Sequence, residues 1–193
     1  MTTQLATSFG ATLPSWVCDE INTAVPDDEA QMDLVLRLAA RNPREGSGGP
    51  FAALVVDTHS AEVVSAGVNL VLSSNLSAAH AEVVALSLAQ VRLGTWNLAG
   101  RPRTLVVNWR PCAQCYGAAM WSGVSRLVVA GDGPECERLT GFDEGPMRED
   151  WAEQFEDRGI EVVTGILREQ AVAGFEAYAD LVRSAGVTVY NPR

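Results

Sequence analysis

His80-Ala81-Glu82, followed about thirty residues later by Pro111-Cys112-Ala113-Gln114-Cys115, is the feature that most restricts how this chain can fold. An imidazole and two thiols are three ligands of the types zinc prefers, and three leave one tetrahedral position open. Structural zinc sites are usually closed by four ligands, so an open triple reads as a catalytic site with water in the fourth place. The fold must then bring two distant segments to one point, with Glu82 beside that water. Metal binding lowers the pKa of water to about 7 from 15.7 in bulk, and a neighbouring carboxylate can carry the proton that is lost.

Two other readings compete for the cysteine pair. A redox dithiol requires neither His80 nor Glu82, and has no need of a helix-starting proline such as Pro111. A structural zinc site would be closed by Cys18, Cys136 or His59. Otherwise Cys18 and Cys136 read as small apolar residues, and His59 as a surface side chain in a hairpin loop.

Charge narrows the field further. Fourteen basic residues against 24 acidic ones give a net charge of -10, and every basic residue is an arginine. Without lysine there is no Schiff-base chemistry, no pyridoxal anchor and no phosphate-loop lysine. Two histidines exclude metal sites built from several. An acidic surface also argues against nucleic acid, since phosphates are neutralised by clustered basic side chains. No apolar stretch approaches the ~20 residues that span a bilayer, and no basic segment followed by an apolar one opens the sequence. The expectation is a cytoplasmic protein whose thiols are reduced and free to bind metal.

Hydrophobic periodicity predicts helices over 16–24 and 28–41, the second ended by Asn42-Pro43. A Gly-rich loop, 46–50, leads into a strand over 51–56, with a hairpin partner over 62–72. The His motif falls on a helix over 77–93 with Gly94 at its end. A strand over 103–107 and a helix over 112–122 follow, with Pro111 at the helix start. Next come a strand over 126–130 and a Gly- and acid-rich loop over 131–146. Helix, strand and helix are predicted over 149–158, 160–164 and 166–184, and 187–190 is either a short strand or a docked tail. The order implies one α/β domain, residues 1–193, in three α/β/α layers with a mixed central sheet of about five strands. Residues 1–45 supply N-terminal helices, 46–165 the core, and 166–193 a C-terminal helix and tail. Each metal motif then lies at a helix N-terminus, whose partial positive charge favours thiolates.

H-x-E followed by P-C-x-x-C is the signature of zinc deaminases. From about Pro50 to Gly141 the sequence resembles the cytidine deaminase superfamily, in its guanine deaminase-like nucleobase branch, which is related to tRNA adenosine deaminases. Gly48-Gly49-Pro50-Phe51-Ala52-Ala53 and Gly67-Val68-Asn69 are similar to segments of that branch, as is the stretch from Glu82 through Leu98. The resemblance implies a cytidine deaminase-like fold, one Zn2+ per chain on His80, Cys112 and Cys115, proton transfer by Glu82, and a homodimer. It also implies a substrate pocket that includes Phe51, with the Asn69 amide hydrogen-bonded to the base. Read from residues alone, Asn69 is either such a strand-end amide or the start of an Asx turn. Asp143 and Glu144 resemble an acidic loop that holds ring N–H groups, though loop acids are equally at home in solvent.

One segment departs from the pattern. Where the family has Ser-x-Glu before Pro-Cys, this chain has Asn108-Trp109-Arg110. Trp109 is therefore either a pocket wall or a core aromatic at a strand end. The activity implied is hydrolytic removal of an exocyclic amine, as ammonia, from a free nucleobase or related aminated heterocycle such as guanine, cytosine or an aminotriazine. Nucleoside or tRNA adenosine deamination is the enzymatic alternative, and a zinc-stabilised binding module without catalysis is the alternative of another class. The acidic C-terminal half and the tail ending Tyr190-Asn191-Pro192-Arg193 are the candidates to close the pocket.

Overall fold

In a computed structural model, described over residues 5–21 and 24–191, short β-branched runs build the sheet. Strands β1 (Ala52–Asp57) and β2 (Val63–Val68) form an antiparallel hairpin. Its turn is held by the Asp57 carboxylate, which accepts the backbone N–H groups of His59 at 3.1 Å and Ser60 at 3.0 Å. Strand β3 (Arg103–Val107) lies antiparallel to β1, and β4 (Arg126–Val129) and β5 (Glu161–Val163) continue in parallel. The order is β2-β1-β3-β4-β5, a mixed sheet of five strands.

Eight α-helices accompany the sheet among the described residues: α1 (Ser15–Glu20), α2 (Asp28–Arg41), α3 (Val71–Ser74), α4 (Ala81–Leu93), α5 (Ala113–Ser122), α6 (Glu135–Thr140), α7 (Trp151–Glu156) and α8 (Arg168–Ala185). Because strand side chains alternate, Leu54, Val106 and Val128 pack with Met32 and Leu38 of α2 and Phe175 of α8. Val55, Leu105 and Leu127 pack on the other face with Ala85 of α4, Ala119 of α5 and Phe155 of α7. Burial on both faces explains the continuous apolar strands and gives three layers. Gly67 sets the closest approach: a Cβ there would lie 2.2 Å from the Ala81 carbonyl oxygen and 2.5 Å from the Ala85 nitrogen. Helix α4 therefore rests directly on β2 at its first turn, which delivers the His80 segment to the sheet edge.

Helix α2 and strand β3 have the predicted bounds; several other elements differ. Strand β2 ends at Val68 rather than reaching residue 72, because Asn69 turns the chain out of the ladder and into α3. The predicted helix start at residue 77 moves to Ala81, since Leu76 to Ala79 form a hydrogen-bonded turn instead. Pro111 lies ahead of the N-cap, not at the first helical position. The predicted loop over 131–146 contains α6, whose last turn is stopped by Gly141 in a left-handed conformation. Helix α1 is shorter than predicted, and Asn22 and Thr23 of its predicted end lie outside the described residues. Cys136 is buried as expected, but Cys18 is exposed on α1. Residues 187–190 form no strand.

Candidate metal centre and its cavity

Each metal-ligand motif straddles the start of a helix. His80 is the N-cap of α4 and Cys112 the N-cap of α5, both in extended backbone, and neither side chain caps its own helix. Those side chains meet instead across the gap between the helices, His80 Nδ1 lying 3.4 Å from Cys112 Sγ. Cys115 and Glu82 follow in the first turns of the same helices. Ligand atoms of His80, Cys112 and Cys115 lie within 4.8 Å of one another, the one such group among the described residues. Two thiols and an imidazole are a donor set that fits zinc. Cys18, Cys136 and His59 lie outside it, so no fourth protein ligand closes the group among the described residues.

The surroundings tune every ionisable group here. A hydrogen bond from Cys115, with the His80 charge added, brings Cys112 down to about 4 although burial opposes it. Cys112 therefore holds the thiolate, and Cys115 is pushed well up by its neighbour and by burial. Burial works against the His80 imidazolium, but the Cys112 hydrogen bond and charge outweigh it and raise the pKa. Glu82 is buried, and desolvation, helped by the Cys112 charge, lifts its carboxyl to about 7. A carboxyl with that pKa can both take and return a proton near neutrality.

The group sits at the base of a cavity of about 480 Å³. His80, Glu82 and Cys112 line its base, with Cys115 fully buried beneath. Phe51, Trp109, Phe142 and Tyr190 provide aromatic walls, and Asn69, Arg110, Asp143 and Glu144 provide polar edges. All the expected site residues other than Cys115 thus line one cavity.

Their individual settings differ. Asn69 fits both readings of it: its Oδ1 accepts the backbone N–H of Val71 at 3.2 Å, an Asx turn, and of Gly49 at 3.4 Å. The amide N–H groups are left to face the Tyr190 hydroxyl and the cavity. Asn42, buried at the end of α2, donates to the backbone oxygens of Asn69 at 2.8 Å and Gly49 at 2.9 Å, fixing the Gly-rich loop against it. Glu144 is half-buried, and desolvation together with Cys112 and Glu82 raises it to about 8. Asp143 is exposed and accepts the Gly145 N–H at 2.8 Å within its own loop. Trp109 is a core aromatic as well as a wall: it is 2% exposed, and its ring lies edge-on to Phe175 at 5.2 Å.

Sequence reasoning did not single out Asn42 or Tyr190 as site residues. Asn42 read as a helix stop, because nothing in sequence links it to Asn69. Tyr190 sits in the tail, where its ring packs 4.9 Å from Phe142 and its hydroxyl faces Asn69 and the Gly49 backbone. Asn191 ties the tail down by accepting from Asp143 N at 3.0 Å and donating to Gly141 O at 2.8 Å. Pro192 and Arg193, the end of the tail considered as a closing element, lie outside the described residues.

Comparison with known proteins fits this arrangement. A guanine deaminase from Nitrosomonas europaea has a crystal structure that is 39% identical, with a TM-score of 0.85 over 92% of this chain and 99% of that one. A crystal structure of an NE0047 variant in complex with 8-azaguanine is 40% identical, with a TM-score of 0.84 over 90% of this chain and 98% of that one. The tRNA-specific adenosine deaminase of Bacillus subtilis (strain 168) is 30% identical over 78% of this chain and 88% of its own length. Residues 25–131, which carry His80, Glu82, Cys112 and Cys115, match the cytidine and deoxycytidylate deaminase zinc-binding region, and the chain belongs to that family.

Proposed function

We propose that the chain is a zinc-dependent hydrolase that removes the exocyclic amine of a free nucleobase or closely related aminated heterocycle, with a guanine-type ring as the leading substrate. One observation carries this reading: a buried Glu82 carboxyl stands beside the His80, Cys112 and Cys115 group at the base of an aromatic-walled cavity. Zinc held by those three residues supplies the Lewis acidity that lets water lose a proton near neutral pH. Glu82 takes that proton and passes it to the ring nitrogen next to the reacting carbon, then takes the proton of the newly added hydroxyl and gives it to the departing amine. One water is consumed, the amine carbon becomes a carbonyl, and ammonia leaves. Asn69 donates to a ring acceptor, Glu144 holds ring N–H groups, and Phe51 and Trp109 give the planar ring apolar walls. Asp143 shapes the loop that presents Glu144. The 8-azaguanine bound by a structural neighbour supports a base of that size and polarity.

A second reading, deamination of adenosine in tRNA, is favoured by the Bacillus subtilis relative. The net charge of -10 with no lysine weighs against it, because tRNA phosphates require a basic surface. The chain is further proposed to work in the cytoplasm, where its cysteines stay free, and no helix among the described residues is long and apolar enough to cross a membrane. It acts as a homodimer, for which the exposed Val91, Trp96 and Trp121 around α4 and α5 offer an apolar face. The deciding experiment measures ammonia release by zinc-loaded protein from guanine, cytosine, adenine, aminotriazines, the matching nucleosides and a tRNA anticodon stem. Turnover confined to free bases, abolished by Glu82→Ala with zinc retained, is the expected result. Turnover on tRNA alone, or unchanged activity of the variant, overturns the reading.

A further inference from the structure

Arg110 stands where the resemblance leads to the expectation of an acid, and it has no part in holding the metal. It lines the cavity, directly ahead of Pro111 and Cys112. Its backbone N–H is fixed on the Gly131 carbonyl at 2.9 Å, which anchors the residue at the end of β3. Its side chain forms no ion pair and no hydrogen bond among the described residues, and its Nε is shielded from solvent without a partner. The arginines it can be compared with behave differently. Arg103 and Arg126, the other arginines that are not fully exposed in the sheet, are each paired with a carboxylate, Asp57 and Asp28 respectively. Arg44 and Arg138 are exposed to water. A guanidinium with a shielded, unpaired nitrogen is costly unless a partner arrives, and Arg110 lines the cavity, where a ligand can supply one.

The chemistry of the cavity restricts that partner. Glu82, Asp143, Glu144 and Cys112 all line it, so a fully anionic ligand would meet four acidic groups. Before a planar ring, however, a guanidinium offers two parallel N–H donors, the geometry that matches a ring nitrogen beside an exocyclic oxygen. Glu144 and Asn69 already provide an acceptor for ring N–H groups and an amide donor, so the arginine adds a strong paired donor that the rest of the cavity lacks.

We propose that Arg110 is a specificity-determining residue that reads an oxo group together with the nearest unprotonated ring nitrogen, O6 and N7 of a guanine-type ring, so that this chain selects oxo-bearing aminoheterocycles over rings that carry no oxygen. The inference rests on the nucleobase reading above and narrows its substrate class. Guanine-type rings satisfy it; adenine, 2-aminopurine and fully amino-substituted triazines do not.

The test compares guanine with 2-aminopurine, which has the same ring and the same amine but lacks the oxygen and, with it, the N1 hydrogen that Glu144 would hold. Zinc-loaded wild-type protein, Arg110→Gln and Arg110→Lys are assayed for ammonia release, with melting temperature and zinc content recorded for each. Wild type should favour guanine by about 30-fold in kcat/KM, the scale of discrimination a two-bond arginine contact supplies. Arg110→Gln should cut that ratio severalfold, chiefly through the KM for guanine, leaving the part owed to Glu144 and the N1 hydrogen, and Arg110→Lys, which keeps the charge but not the fork, should fall close to it. Equal losses on both rings, an unchanged ratio, or full rescue by lysine would each overturn the proposal. Failure of wild type to deaminate any ring defeats the proposed function separately. Calorimetric binding of hypoxanthine against purine then makes the same comparison, an Arg110-dependent preference for hypoxanthine supporting the proposal and its absence overturning it.

Discussion

Asp57 and Glu82 are both buried carboxylates beside the same sheet, yet they have been moved in opposite directions. Asp57, at the far end of β1, accepts backbone N–H groups from Ser60 and His59 and is paired with Arg103, and its carboxyl is held down at about 2. Glu82, at the cavity end, has burial and the Cys112 charge against its ionised form and stands at about 7. Glu144 is raised in the same way, to about 8. Burial alone does not set a carboxylate's behaviour; the number of donors aimed at it does. One end of the molecule uses its acid as a finished structural ion. The other leaves its acids poised to exchange protons, the pattern expected of a working site.

The contrast breaks most completely at the metal ligands. Cys115→Ser should lose zinc and all measurable ammonia release, read by metal analysis and a coupled ammonia assay, because the remaining His80 and Cys112 cannot hold the ion alone. Chelation of the wild type should have the same effect, with zinc restoring activity. Glu82→Gln removes the proton carrier while keeping the shape, so kcat should fall on the order of 10³-fold with zinc content unchanged. Its melting temperature should not drop, since a buried carboxyl that resists ionisation is no asset to the fold.

Asp57→Asn is the mirror experiment. It leaves Arg103, which is 6% exposed, without its charge partner. The expected loss is about 3 kcal/mol of stability, at the lower end for breaking one partner of a buried pair. Activity per folded molecule should be retained. The acid dependence follows from the same shift. With a folded pKa of about 2, below the ordinary 3.8, the Asp57 contribution is complete above pH ~4 and disappears as pH falls towards 2. Chemical denaturation between those values should show a shallower pH slope for Asp57→Asn than for wild type; equal slopes would mean that Asp57 is not a stabilising ion.

What the sequence made legible divides along the same line. The metal end rests on residues within two or three places of each other, His80 with Glu82 and Cys112 with Cys115, so local spacing sufficed. Helix α2 announced itself through its hydrophobic periodicity and its stop at Asn42-Pro43, while its cap at Asp27 shows only in the structure. The far wall is assembled over long sequence separations, and no local pattern encodes that. Asn42 supports Asn69 across 27 positions, and Asn191 joins Asp143 across 48. Helix α6 was hidden because its six residues, bracketed by Pro134 and Gly141, look like loop. Asn69 ends β2 through its own side chain, which hydrophobic alternation does not register.

The tail gives the smallest effect and separates the two walls most cleanly. Tyr190 is not one of the three metal ligands; it packs on Phe142 and covers the Asn69 side of the cavity. Tyr190→Ala should therefore weaken substrate binding without disturbing the proton path. An increase of about tenfold in KM is expected, corresponding to loss of one aromatic contact of roughly 1 kcal/mol and its hydroxyl hydrogen bond. kcat, zinc content and the Glu82 requirement should stay within about twofold. Tyr190→Phe should recover most of the KM if packing dominates, because Phe142 keeps its partner, and little of it if the hydroxyl positions Asn69. A fall in kcat equal to the fall in kcat/KM would instead place the tail in the transition state, and the division between a chemical wall and a binding wall would fail.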